Sequence, residues 1–336
     1  MTHTIVVDRC TDPDNPDGTV VISRMITEDD DTVHGEGDLL IDVTHSSLNY
    51  KDALALRGTK GVARILPLVP GIDACGTVVD SDSDRFAPGD RVVVNGAGLG
   101  ETRAGGYTGK LRVDSASTVH IPENISTLRA AAIGTAGFTA ALSVDALTGA
   151  GVGPQDGPVL VTGATGGVGA TAILLLASLG FDIVAATGRV AEHSDMLREL
   201  GAAEVIDRAE LAEPGRPLQS ERYAGVVDAV GSHTLVNALA QVRWGGAVTA
   251  CGLAHGADLP GTVMPFILRA VKLLGINSVD APSELRERAW TLLSGHLDQA
   301  ALDRITTVRP LASVAQAGEE LLAGKLAGRT VIDVSA

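Results

Sequence analysis

The chain has 336 residues, 45% of them hydrophobic, too many for one small core, and it points to two globular domains rather than a disordered or fibrous protein. Its 26 basic residues against 41 acidic ones leave a formal charge of −15, which opposes general binding to nucleic acid or to anionic membranes. Any anionic ligand must therefore be captured by a local positive patch.

The first stretch, "MTHTIVVDRCTDPDNPDG", has neither the basic start nor the apolar core of a signal peptide, and no uninterrupted apolar run of transmembrane length follows it. A cytoplasmic protein is expected. Cys10, Cys75 and Cys251 are widely spaced, which fits small buried residues in a reducing compartment and not a disulfide framework. Up to about residue 125, frequent Gly and Pro breaks separate short β segments such as "DLLIDVTHSSL", "GTVVDS" and "GDRVVVNG". That pattern predicts a compact, mostly β domain. Inside it, "KDALALRGTKGVAR" sets Lys51, Arg57, Lys60 and Arg64 against Asp52, a local charge of +3.

From about residue 159 the pattern changes. Short apolar runs such as "PVLVTGA", "FDIVAAT", "AEVID", "AGVVDAV", "GGAVTACG" and "KLLGINS" alternate with helix-like segments. Continuous apolar strands between amphipathic helices predict a parallel sheet covered on both faces, a doubly wound α/β domain.

In "VLVTGATGGVG" a strand from Val159 to Thr162 runs through a glycine turn, Gly163 to Gly169, into a helix starting near Val168. Gly166 and Gly167 let the backbone approach a pyrophosphate, and Gly169 permits close packing of helix on strand. Ala164 replaces the first glycine of the usual fingerprint, so Ala164, Thr165, Gly166, Gly167 and Val168 are read as the phosphate cradle from their context between strand and helix. The second strand ends in Thr187, Gly188 and Arg189, where an acid would select NAD(H) by binding a free ribose hydroxyl. A hydroxyl and an arginine favour a 2′-phosphate, so NADPH is the expected cofactor.

Further along, "DAVG" and "CGLA" lie at the C-terminal ends of predicted strands, where open parallel sheets bind ligands, making Cys251, Gly252 and Leu253 candidate backbone contacts. "GINS" places Asn277 similarly. From about Pro282, a helix "SELRERAWTLLSG" and a strand "GRTVIDVSA" are expected to return to the first domain, with Arg329 either a phosphate contact or a surface ion pair.

The segments "SSLNYKD", "PLVPGIDACGTV", "FAPGDRVVV", "AAIGTAGFTAAL" and "VMPFILRAVKLLGINSV" resemble the medium-chain dehydrogenase/reductase superfamily, most of all the acrylyl-CoA reductases of its zinc-free quinone-oxidoreductase branch. The resemblance implies a GroES-like catalytic domain over residues 1–124, an NADP-binding Rossmann domain over 125–281 and a return to the first domain over 282–336. Zinc-dependent members carry His and Glu where this chain has Ile72 and Asp73, and no four-cysteine lobe is present. A zinc-free reaction follows: hydride addition to the β-carbon of an α,β-unsaturated acyl-CoA, then protonation of the α-carbon.

In this reading Asn49 orients the carboxamide or ribose and Tyr50 donates to the developing enolate, with a buried structural tyrosine as the alternative. Lys51 and Asp52 form a structural ion pair, and Thr139 lies against the nicotinamide. Arg57, Lys60 and Arg64 would clamp the phosphates of coenzyme A, or else form an ordinary solvated face. A homodimer paired through "KLLGINSV" is expected. The rival activities are an NADPH:quinone reductase and a non-catalytic NADPH-binding redox sensor.

Overall fold

The computed structural model describes residues 1–12 and 15–336. The chain divides into two compact units, one of Met1–Thr135, Ser278–Trp290 and Ile305–Ala336, the other of Ala136–Asn277 and Thr291–Arg304.

In the first unit β1 (Thr2–Asp12) and β2 (Asn15–Glu28) form an antiparallel pair. The main sheet takes β3 (His34–Gly35), β4 (Leu39–Ser47), β5 (Asp73–Ser81), β6 (Arg91–Asn95), β7 (Lys110–Val113) and β8 (Thr118–His120). Leu39, Ile41 and Val43 alternate inward along β4, the period of two that a half-buried strand requires. They join Val92, Val94, Leu111 and Ile332 in one core. Burial of each such side chain contributes about 1.5–3 kcal/mol.

The second unit is the doubly wound domain. Its strands β9 (Val159–Val161), β10 (Ile183–Thr187), β11 (Glu204–Asp207), β12 (Tyr223–Asp228), β13 (Val242–Ala250) and β14 (Lys272–Gly275) lie in the order β11-β10-β9-β12-β13-β14, every pair parallel. The order reverses beside β9, the switch point at which such sheets bind ligands. All residues of β9, β10 and β12 are buried, which is why they read as unbroken apolar runs.

The chain then returns: β16 (Arg329–Asp333) pairs antiparallel with the C-terminal half of β4 and parallel with β15 (Thr306–Pro310). The unit boundaries differ from the expected ones in two places. Residues 125–135 stay with the first unit because Ala132 and Thr135 are hydrogen-bonded to Arg329 and Asp73 there. Thr291–Arg304 stays with the second, where helix Gln299–Arg304 packs on helix Gly167–Ser178.

Helix Thr127–Gly149, of 23 residues, is long and apolar enough to cross a membrane by length and mean composition, while Arg129, Asp145 and interspersed Thr, Ser and Gly keep it from being an uninterrupted apolar run. It is largely buried, and its backbone breaks at Gly134 (φ 50°, ψ −164°).

Candidate active site

In the second unit the glycine turn follows β9 directly. Gly163 takes a left-handed φ of 59°, and the amide of Gly166 donates back to the Gly163 carbonyl at 3.0 Å. Helix Gly167–Ser178 then starts with Gly166 as its N-cap and with no side chain capping its first turn. The opening amides, through Val168, are thus left for a ligand, and the helix dipole favours an anion there. A Cβ on Gly169 would lie 2.5 Å from the Gly163 carbonyl oxygen, so the turn closes on its helix only with glycine at that place. Ala164 is fully buried, Thr165 half-buried and Gly166 exposed.

At the end of β10, Thr187 is buried and its hydroxyl accepts the Arg189 amide at 3.3 Å. Gly188 is exposed, and Arg208, the residue after β11, lies against it: its amide donates to the Thr187 carbonyl at 3.0 Å. Burial and the Arg189 charge lower the His193 pKa, against an opposing pull from Glu192, and the ring's Nε2 is buried without a hydrogen-bond partner. At the end of β12, Asp228 accepts the Thr162 hydroxyl at 2.7 Å and the Gly231 amide at 2.8 Å, with its pKa raised by burial. Cys251 follows β13, and its thiol, pushed up to about 12 by burial and the Asp228 charge, donates to the Asp228 carbonyl. A Cβ on Gly252 would lie 2.3 Å from the Ala229 carbonyl oxygen, whereas Leu253 is an exposed side chain. Thr139 is buried on its helix and its carbonyl accepts the Ser143 hydroxyl at 2.8 Å. Asn277 is exposed just beyond β14.

In the first unit a buried polar cluster is built around Asp73. Its Oδ1 accepts Asn95 Nδ2 and Thr135 Oγ1, both at 2.7 Å. Its Oδ2 accepts Asn49 Nδ2 at 2.8 Å, the Thr135 amide at 3.0 Å and the Ser47 hydroxyl. Asp52, also buried, accepts the amides of Asn49 and Ile72, each at 2.8 Å. Burial, then the Asp73 charge, raises the Asp52 pKa to about 7 against the pull of those hydrogen bonds. Gly134 closes the cluster. A Cβ there would lie 2.8 Å from Arg329 Nη2, Asp73 Oδ2 and Ser47 Oγ, and its φ of 50° is one that glycine adopts freely.

This geometry corrects several expectations. Arg329 is 3% exposed, its Nε donating to the Ala132 carbonyl at 2.5 Å and its other nitrogens to Asn49 Oδ1. It is neither a phosphate contact nor a surface ion pair; it sits among Asp52 and Asp73, whose charges oppose the lowering of its pKa by burial. Asn49, expected to orient the carboxamide or ribose, is held by its own neighbours: its amide nitrogen is shared among Ser47, Asp52 and Asp73, and its oxygen accepts from Arg329. It caps helix Tyr50–Leu56. Lys51 pairs with Glu101 at 2.8 Å and not with Asp52. Arg57 forks onto Glu319, with Nε to Oε1 at 2.7 Å. The charge of the basic run is therefore smaller than the local sequence implies, since two acids from distant segments enter it. Lys60 and Arg64 remain exposed.

Tyr50, the first residue of its helix, is 57% exposed. The buried tyrosines are instead Tyr107, whose hydroxyl donates to the Ser47 carbonyl at 3.0 Å, and Tyr223.

Residues 35–123 match the alcohol dehydrogenase GroES-like domain, and residues 167–295 match the zinc-binding dehydrogenase family. The chain is 46% identical over 301 residues to the acrylyl-CoA reductase AcuI of Ruegeria pomeroyi, covering 89% of this chain and 91% of that one. The chain belongs to the medium-chain dehydrogenase/reductase superfamily. Within it, the fold is similar to the yhdH oxidoreductase of Salmonella enterica in complex with NADP, with TM-score 0.93 and 41% identity over 98% of this chain and 99% of that one. Bacillus subtilis yhfP with NAD bound is also similar, with TM-score 0.90 and 39% identity over 99% of both chains.

The donor set does not fit the zinc of the superfamily's metal-dependent members. Asp73, at the carboxylate ligand's position, already accepts five hydrogen bonds, and no group of three His, Cys, Asp or Glu side chains suited to a metal occurs among the described residues. A dinucleotide, by contrast, fits the uncapped glycine turn. The residues missed in the sequence are Ser47, Asn95, Thr135 and Arg208. The first three are ordinary polar residues whose common partner lies far along the chain. A signal for Arg208 existed: it follows a predicted strand next to the one that ends in Arg189.

Proposed function

We propose that the protein reduces the carbon–carbon double bond of a short α,β-unsaturated acyl-CoA with NADPH, acrylyl-CoA to propionyl-CoA first among such reactions. The observation that carries this reading is the likeness, over most of both chains, to the acrylyl-CoA reductase of Ruegeria pomeroyi. The choice of NADPH is supported by the absence of an acid at the Thr187–Arg189 turn and by the NADP-bound Salmonella enterica relative.

When bound, NADPH supplies the hydride that adds to the β-carbon of the acyl group. The amides of Gly167 and Val168 and the helix dipole behind them hold the pyrophosphate, and Arg189 receives the 2′-phosphate. Thr139, Gly252, Leu253 and Asn277 line the nicotinamide end. Tyr50 Oη donates a hydrogen bond to the thioester oxygen as enolate charge develops on it, and the α-carbon then takes a single proton, from Tyr50 or from solvent, as the carbonyl re-forms. No zinc takes part in this reading, because Asp73, the carboxylate at the ligand's position, is engaged as a hydrogen-bond acceptor. Lys60 and Arg64 attract the phosphates of coenzyme A. We further place the protein in the cytoplasm, where its three free cysteines remain reduced, as a homodimer paired through the sheet-edge strand β14.

The deciding experiment follows NADPH oxidation with acrylyl-CoA, crotonyl-CoA and a small quinone in parallel. Turnover fastest with acrylyl-CoA is expected; preference for the quinone, or tight NADPH binding with no turnover, would overturn the reading. Tyr50→Phe should lower kcat by about 100-fold while leaving thermal stability unchanged, since the side chain is exposed. An unaltered kcat would remove Tyr50 from the chemistry. Lys60→Gln with Arg64→Gln should raise KM for the acyl-CoA and not for the quinone.

A further inference from the structure

We propose that Arg208 grips the 2′-phosphate of NADPH beside Arg189 and is the residue through which the neighbouring strand sets the preference for NADPH over NADH; this rests on the cofactor reading above. Strands β10 and β11 are parallel neighbours with Thr187 opposite Asp207, so the residues that follow them emerge at the same edge of the sheet. The Arg208 amide is tied to the Thr187 carbonyl at 3.0 Å, which fixes where its side chain departs.

That side chain runs over the turn that the adenosine ribose approaches. A Cβ built on Gly188 would lie 2.6 Å from Arg208 Nε and 2.9 Å from its Cζ, so the guanidinium covers the bare backbone of Gly188. Arg208 is exposed, and its guanidinium has no hydrogen-bond or ion-pair partner among the described residues. The nearby acids are otherwise engaged. Asp207 accepts the amide of Ala209 at 2.9 Å, and Glu204 and Glu210 both pair with Arg222.

An uncommitted guanidinium is notable in a chain of charge −15. A phosphate monoester carries about −1.5 to −2 charge at neutral pH, more than one arginine offsets. A second planar fork supplies the missing charge and further donors to the phosphate oxygens. NADH, with a free 2′-hydroxyl, gains nothing from it.

Calorimetric titration of the full chain and of Arg208→Gln and Arg208→Lys with 2′,5′-ADP, 5′-AMP, NADPH and NADH tests the assignment. Arg208→Gln should weaken 2′,5′-ADP and NADPH by about 10- to 100-fold and leave 5′-AMP and NADH unchanged, with Arg208→Lys in between. Equal losses for phosphorylated and unphosphorylated ligands, or no loss, would overturn it. If the chain binds 2′,5′-ADP through Arg208 yet does not reduce acrylyl-CoA, the assignment stands and the reductase reading falls.

Discussion

The glycine turn of the second unit and the Asp73 cluster of the first handle polar groups in opposite ways. The turn leaves backbone amides without side-chain partners at the start of a helix, in a short segment where glycine permits close approach. The Asp73 cluster spends nearly every donor and acceptor on its own neighbours, with five hydrogen bonds on one carboxylate. An open set of donors is built to bind, whereas a closed set is built to hold the helix that carries Tyr50. Arg329 and Asn49 show the consequence: residues of binding chemistry become structural once their partners are buried with them.

Breaking the closed set should have the largest effect. Asp73→Ala strands the donors of Ser47, Asn49, Asn95 and Thr135 and leaves the buried Arg329 with less compensating charge, so a loss of about 3–5 kcal/mol in denaturant unfolding is expected. A loss below about 1 kcal/mol would show that the cluster does not hold the unit together.

Breaking the open set should cost less stability and more binding. Gly169→Ala forces a methyl to 2.5 Å from the Gly163 carbonyl oxygen, for about 1–3 kcal/mol of strain. NADPH affinity measured by fluorescence should fall by about 10-fold or more as the turn opens. Retained affinity would show that the turn's shape is not what the cofactor needs.

The smallest effect sharpens the comparison within the closed set. Burial and the Asp73 charge raise the Asp52 pKa from 3.8 to about 7, so the folded chain holds that proton more tightly than the unfolded one. The stability this contributes is fully present below about pH 4 and is lost as pH rises through about 7. The advantage of the wild type over Asp52→Asn should therefore be larger at pH 5 than at pH 8 in thermal unfolding. A difference that stays constant or grows with pH would mean that Asp52 is held ionised by its amide donors.

Much of the second unit was legible from the sequence because its signals are local. Apolar strands covered on both faces, the glycine turn and the missing acid after β10 each occupy a few consecutive residues. The helix start lay one residue from its expected place, at Gly167. The first unit's site was far less legible. "SSLNYKD" put Asn49 and Tyr50 side by side, but it did not show that one side chain is held in the buried cluster while the other stands exposed. The basic run was overestimated because Glu101 and Glu319 come from elsewhere in the chain.

The sequence by itself therefore determined the periodicities, the glycine turn and the family, since these rest on residue order over short spans. Tertiary structure decided which charges survive as charges. Pairing between side chains such as Asn49 and Arg329, 280 residues apart, depends on β16 lying beside β4, and desolvation acts only once the segments have closed around them. For the same reason Arg208 is an exposed cation over Gly188 only because β11 lies beside β10.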